Sequence, residues 1–440
     1  MGLKAGLRLW LLLVLLLVAS AAAYITFKPE LPFSVPAALM VVSEPASVTP
    51  TMSPVSGVVV ESSPLASTNA ETLVSTVGPA SEDDSPFVVL CYHRFVVHPE
   101  NFKEKLSEYR FPQAEFRWQM QYLKDHGITP ISMTQLKDYW FGGKPLPAKP
   151  VLLTFDDGFR SLYDVMFPVL KEFKYPGVLF IYTDFIRDQG DSLTLDDIKA
   201  MQNYGMDLES HTKSHLNLGY VEEKKSAKDY ARLLPLELSD PVTYIQKEFG
   251  VTPTTLAYPY GVYNDDIVNE TQRENYQLAF TVNPGPNDRT VPALKLKRDL
   301  ILNPMSHETF AALFEPRVLH LDHIQPGDGE FIESHTPTIS MVIKDDVDYK
   351  SIRLFVGTAP CSYRYDPKTR ELKHQFHKAM KSGDHYLKDQ SLKSGGHFVT
   401  VEAKDFNGVK RNCTWYFRIK HSGLNVATKK EDRMKGVDDK

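Results

Sequence analysis

The chain has 440 residues, enough for two or three domains. Hydrophobic residues make up 42% and aromatic residues 11%, the make-up of a globular protein. A formal net charge of −5, with basic residues spread along the chain and no sustained basic patch, excludes a nucleic-acid partner.

Lys4 and Arg8 precede an uncharged run from Leu9 to Ala23, and small residues at Ala19 to Ala23 resemble a signal-peptidase site. Read on through Phe27, the run approaches the about 18–20 residues that span a bilayer. Residues 1–27 are therefore a cleaved signal peptide or an uncleaved single-pass membrane anchor. Either way the bulk of the protein is exported, to the periplasm, the cell surface or the medium. Residues 28–86 are rich in Pro, Ser, Thr and Val and hold a single basic residue, Lys28. Such a stretch buries too little apolar area to offset its ordering entropy, so it reads as a disordered linker.

The folded part begins with a strand over Phe87 to Cys91, with Cys91 as a core residue. Phe116, Met120 and Leu123 give helical spacing over Ala114 to Asp125, stopped by Gly127. A short strand over Ile128 to Ile131 and a helix over Thr134 to Trp140, capped by Thr134, come next. Strands are then expected over Val151 to Phe155, Gly177 to Tyr182, Met206 to Glu209, Thr255 to Tyr258 and Leu278 to Val282. Helices are expected between them over Ser161 to Phe173, Leu195 to Asn203 and Pro241 to Phe249, and after them over Glu308 to Phe314. Alternating strands and helices predict a parallel sheet, and the number of repeats a closed or nearly closed barrel over 87–324.

After about Gln325 the pattern changes. Thr338 to Ile343, Ser351 to Val356, Tyr363 to Tyr365, His397 to Glu402 and Thr414 to Ile419 alternate or are β-branched, with turn residues between them. This predicts a small all-β sandwich over 325–421, followed by a disordered charged tail over 422–440. Cys361 and Cys413 lie in this region and either pair or remain free thiols.

The chemistry centres on Thr154-Phe155-Asp156-Asp157-Gly158. Two adjacent carboxylates at the end of an apolar strand are costly unless something pairs with them, and a metal ion is the usual partner. Downstream, Ser210-His211-Thr212-Lys213-Ser214-His215 supplies imidazoles at a spacing that fits one side of a helical turn. Asp157, His211 and His215 together suit one divalent metal ion: zinc, with cobalt or nickel as alternatives. Asp156 is then left to take a proton from an attacking water, against the alternative of a simple cap on the next helix. In Ala257-Tyr258-Pro259-Tyr260-Gly261 the backbone N–H of Tyr260, beside a rigid proline, is placed to hold an oxyanion, or the segment is an ordinary turn. The rings of Tyr258 and Tyr260 are candidates for lining a sugar groove.

These motifs, in this order and spacing, resemble the polysaccharide deacetylases, the NodB-homology or carbohydrate esterase family 4 group. The resemblance covers roughly residues 86–320, and Tyr92-His93-Arg94 is similar to the start of the branch acting on poly-β-1,6-N-acetylglucosamine. It implies a distorted (β/α)7 barrel and metal-dependent removal of acetyl groups from N-acetylhexosamine units of an extracytoplasmic polysaccharide. By position it implies Asp156 as general base, Asp157, His211 and His215 as metal ligands, and the Tyr260 N–H in the oxyanion hole. Pro259, Tyr258 and His93 fall in the substrate-binding set. Many members carry an arginine at the start of the third motif, where this chain has Ala257-Tyr258; Arg298 is the replacement cation, or else a solvated strand end. The general acid has no clean motif, with His320, His93 and His307 as candidates. The C-terminal region resembles bacterial immunoglobulin-like domains, which implies a spacer or carbohydrate-binding role. The competing readings are a carbohydrate-binding protein on the same barrel without turnover, and a peptidoglycan or chitooligosaccharide deacetylase.

Overall fold

The computed structural model describes residues 86–99, 107–187, 190–376 and 395–420. The expected signal or anchor segment, all of the linker but Pro86, and the charged tail lie outside the described residues. No helix among the described residues is long and apolar enough to cross a membrane.

Seven parallel strands form the core of the first part: β1 (Val88–Tyr92), β2 (Pro150–Asp157), β3 (Val178–Ile181), β4 (Asp207–Ser210), β5 (Thr255–Ala257), β6 (Leu278–Phe280) and β7 (Asp299–Leu300). They pair in sequence order from β1 to β6, and β7 returns to pair with β1 through Leu90 and Asp299. Just before β7, Leu296 pairs with Phe280 at the end of β6, its N–H donating to Ala279 O and its carbonyl accepting from Thr281 N, both at 2.8 Å. One short segment thus joins the two edges of the sheet, and the ring is a distorted (β/α)7 barrel. An additional strand, Thr129–Ile131, pairs with the first residues of β2.

Strands covered on both faces read as unbroken apolar runs, and β2 is buried at all eight positions. Its alternation still sorts the side chains. Val151, Leu153 and Phe155 join the cluster shared with the surrounding helices, whereas Leu152 joins the inner cluster with Val89, Phe180 and Phe280. The same period of two places Thr154 and Asp156 on the inner face with Leu152.

Helices α1 (Gln113–Asp125), α2 (Met133–Gly142), α3 (Phe167–Phe173), α4 (Leu195–Tyr204), α5 (Leu218–Lys224), α6 (Ala227–Phe249), α7 (Asp265–Arg273) and α8 (His307–Ala312) connect or follow the strands. Three expectations need correction. The cap of α2 is Ser132, not Thr134, because Ser132 and Gln135 form a reciprocal capping box. The helix expected from Ser161 begins as a π-type turn over Leu162–Met166 before α3. The helix expected to start at Pro241 runs 23 residues and contains both Pro235 and Pro241.

The second part is β-rich. One sheet orders Arg317–Val318, Lys410–Ile419, Gly395–Lys404, Arg353–Val356 and Ala359–Cys361, with Glu330–Ile332 also on Lys410–Ile419. The other orders Leu321–Gln325, Thr338–Ile343, Glu371–Gln375 and Arg364–Asp366. Ile339, Met341 and Leu372 of the second sheet and Leu354, Val399, Val401, Trp415 and Phe417 of the first share one apolar cluster. The change from barrel to sheets comes at Arg317, a few residues ahead of the boundary read at 324. No disulfide joins Cys91, Cys361 or Cys413.

This part is seated on the barrel. Arg418 Nε bonds Glu223 Oε1 at 2.6 Å, with both side chains nearly buried. The Phe331 ring fills the space over Gly219, where a Cβ would lie 2.6 Å from it. Tyr263, from the loop after β5, bonds Asp328, which also accepts from Tyr416 N.

Candidate active site

The side chains of the two expected motifs converge at the C-terminal ends of β2, β4 and β5. Asp157 Oδ1 lies 3.3 Å from His215 Nε2 and 3.6 Å from His211 Nε2. One ligand atom from each of these three residues falls within 4.8 Å of the other two. His211 Nδ1 lies 2.7 Å from Ala257 O, which fixes that nitrogen as the donor and turns Nε2, with its lone pair, towards Asp157. Burial pushes the His211 pKa down, and burial followed by the nearness of His211 pushes that of His215 to about 3, so both rings are neutral. Asp157 Oδ1 is buried and has no hydrogen-bond partner.

The neighbouring carboxylates are treated in opposite ways. Arg298, fully buried inside the barrel, clasps Asp156 with Nη1 to Oδ1 at 2.7 Å and Nη2 to Oδ2 at 2.8 Å, while its Nε donates to Thr281 O at 2.9 Å. Burial opposes charge on Asp156, but Arg298 and then His211 hold its carboxyl well below the usual carboxylate range. Asp157 lacks such a clasp: burial, then the charge of Asp156, pushes its pKa up to about 7. An orphaned carboxylate oxygen beside two neutral imidazole nitrogens is a donor set short of a cation, and it fits a divalent metal.

The local backbone is bent to make this arrangement. Asp157, Thr212, His215 and Tyr260 all have positive φ, at 76°, 69°, 57° and 59°. Such angles in non-glycine residues cost about 1–3 kcal/mol each and cluster where function needs them. Residues 211–215 are accordingly a loop and not the helical turn that the histidine spacing allowed. Gly261, at φ 65°, follows Tyr260 where a Cβ would come within 2.7 Å of the Val282 backbone nitrogen. The turn bonds of this segment are donated by Gly261 to Tyr258 O and by Val262 to Pro259 O.

Among the other expected residues, His93 lies at the end of β1, its ring nitrogen in a cluster with Cys91 and Asp156 spanning at most 4.8 Å. Its Nδ1 is buried without a partner, and its ring meets Tyr109 edge-on at 5.1 Å. The Tyr260 ring is exposed beside His215, with centroids 4.7 Å apart. Tyr258 is a correction. It is fully buried, its hydroxyl donates to Leu294 O at 3.1 Å and its ring stacks on Tyr263, so it packs the outer layer and does not line a groove. Pro259 is also buried. Cys91, read only as core, donates to Asp156 Oδ2 at 3.4 Å; its register partner on β2 is Thr154, two residues before Asp156.

Two candidates for the acid are committed elsewhere. His307 stacks on Trp118 at 3.4 Å and meets Glu115. His320 Nδ1 contacts both oxygens of Asp345 at 3.0 and 3.1 Å, with Nε2 3.5 Å from Asp288. Bonds from Asp288 and then Asp345 push its pKa from 6.5 to about 10. A folded-state pKa raised in this way gives stability that is complete below about pH 6.5 and lost as the pH rises through about 10. The difference in thermal midpoint between wild type and His320→Gln is therefore expected to be widest near pH 6 and to close by about pH 10, which scanning calorimetry across that range checks.

Residues 143–279 match the family model described as polysaccharide deacetylase. A poly-β-1,6-N-acetyl-D-glucosamine N-deacetylase of Staphylococcus aureus (strain MSSA476) is 27% identical over 248 residues, covering 50% of this chain and 84% of the relative. A putative polysaccharide deacetylase of Bacillus subtilis (strain 168) is 28% identical over 206 residues, covering 47% of this chain and 71% of the relative. Among solved structures, the Streptococcus pyogenes deacetylase PplD in complex with acetate aligns with a TM-score of 0.47 at 28% identity, over 52% of this chain and 99% of that one. Residues 143–279 thus carry a polysaccharide deacetylase domain, and these likenesses support a deacetylase enzyme.

Proposed function

We propose that the protein is an exported, metal-dependent N-deacetylase of a polysaccharide built from N-acetylhexosamine, with a poly-β-1,6-N-acetylglucosamine-like polymer favoured over peptidoglycan or chitin. The observation that carries this is the orphaned Asp157 Oδ1 between two neutral histidines, one residue away from a carboxylate held ionised by a buried arginine. The choice of polymer rests on the Staphylococcus aureus relative. Asp157, His211 and His215 would hold the metal, and two nitrogens with one oxygen suit zinc first, then cobalt or nickel. A divalent ion so held polarises an amide carbonyl and makes water a nucleophile near neutral pH.

The remaining work falls to the chain's own groups. Asp156, kept as a carboxylate by Arg298, takes the proton of the attacking water. The Tyr260 N–H, used by neither turn bond of its segment, faces the developing oxyanion. His93, beside Asp156 with Nδ1 unpaired, is held neutral by burial, its pKa lowered to about 4, so what it passes to the leaving amine is the proton that Asp156 has taken from the water. The exposed Tyr260 ring offers an apolar face to a sugar. We read the β-rich part, similar to an immunoglobulin-like domain, as a support for the barrel, since every residue assigned here lies ahead of it.

The test is acetate release from β-1,6-linked N-acetylglucosamine oligomers, chitin oligomers and peptidoglycan fragments before and after chelation. Activity is expected to disappear with the chelator and return with zinc or cobalt in wild type, and not to return in Asp157→Ala. Sugar binding by the metal-loaded wild type without acetate release from any of the three would replace this reading with that of a binding protein.

A further inference from the structure

The loop that carries both histidines has every backbone N–H bonded. His211 donates to Ile181 O, Thr212 to Ser210 Oγ and His215 to Thr212 Oγ1. The two in the middle go to one residue of α6: Lys213 N to Glu237 O at 3.0 Å and Ser214 N to Glu237 Oε2 at 2.9 Å. Ser214 Oγ adds a third bond, to Glu237 Oε1 at 2.7 Å. Glu237 is 2% exposed, and Lys213 Nζ also reaches Asp240 on the same helix.

A mid-helix carbonyl is normally taken by the N–H four residues on. For Glu237 that residue is Pro241, which has no N–H. We infer that Pro241 is retained inside α6 because it frees the Glu237 carbonyl, so that Glu237, through its carbonyl and its carboxylate, sets the positions of His211 and His215 for the metal. Glu237 and Pro241 are positioning residues: Glu237 bonds the loop and not the ligand atoms, and Pro241 acts through the Glu237 carbonyl. The strained turns at Thr212 and His215 need such an anchor, because a five-residue loop with two left-handed residues relaxes when its middle amides lose their acceptors. The second proline serves as an internal comparison. Pro235 frees the carbonyl of Ala231, to which the metal loop makes no bond among those described.

The inference rests on the metal-site reading above, and its test is separable from that reading. Zinc and cobalt affinities of the full chain are measured by titration calorimetry without substrate, alongside the thermal midpoint of the metal-free protein, for wild type, Pro241→Ala, Glu237→Gln, Glu237→Ala and Pro235→Ala. Partners that orient metal ligands typically change affinity about 10–100-fold. Pro241→Ala restores a competing N–H and is expected to weaken metal binding about tenfold without lowering the metal-free midpoint. Glu237→Ala should weaken it at least as much, Glu237→Gln less because the amide still meets Ser214, and Pro235→Ala not at all. Affinities within twofold of wild type for both Pro241→Ala and Glu237→Ala would overturn the inference. So would an equal loss in Pro235→Ala, or a loss that only tracks the midpoint. Absence of metal binding in wild type would instead overturn the metal-site reading itself.

Discussion

Asp156→Asn is expected to lower kcat by about 10²–10⁴-fold, the range for loss of a positioned proton acceptor. The substitution keeps the size of the side chain and an oxygen for Arg298, but removes the negative charge that the proposed base needs. Asp157, His211 and His215 are untouched, so divalent-metal content after dialysis should stay at the wild-type level. Acetate release under saturating oligomer, read against metal content, checks both halves. A kcat within tenfold of wild type would sink the assignment of Asp156. Loss of bound metal together with activity would move Asp156 into the ligand set.

The second large effect belongs to Arg298. Its guanidinium is fully buried and its charge is balanced by the bidentate contact with Asp156. Arg298→Met leaves a buried carboxylate with no counter-ion, and breaking such a pair from one side costs about 3–5 kcal/mol. The urea midpoint should fall accordingly, and acetate release should fall with it because the base is no longer held ionised. The double variant Asp156→Asn, Arg298→Met removes both charges and is expected to lose clearly less stability than the two single losses added together. Strict additivity would show that the two charges do not depend on each other. Lysine is not a conservative replacement here, because a point charge cannot reproduce two parallel bonds and a third to Thr281 O.

Much of the site was legible because its chemistry conflicts with its surroundings. Asp156 and Asp157 end a buried, largely apolar strand, and that local contradiction pointed to the carboxylate–imidazole cluster the fold brings together. The parallel barrel followed from alternating patterns, and Thr338–Ile343 was read with the bounds it has in the fold. What stayed hidden depends on contacts distant in the chain. His211 and His215 fit a helical turn by spacing, and only Ile181 and Glu237 make the segment a loop. The rule that proline breaks a helix concealed the first half of α6, where tertiary contacts outweigh the lost bonds. Tyr258 follows the last residue of β5, and whether it faces the groove or the outer layer depends on how the chain turns at Pro259. Nothing in the local pattern distinguished Arg298, as the clasp on Asp156, from a solvated strand end.

The segment that closes the barrel also sets an order of events for a growing chain. Asp156 precedes Arg298 by 142 residues. At a synthesis rate of about 5–20 residues per second, the carboxylate therefore spends several seconds outside the ribosome before its cation is made. By the end of that interval six of the seven barrel strands have been made, and the two edges of the sheet they build, β1 and β6, still lack the segment that joins them. The arrival of Leu296 to Leu300 seals the edge and neutralises the interior in one step. Closure of the barrel and the pairing of Asp156 with its cation thus wait on the same segment, and a chain truncated before residue 298 acquires neither.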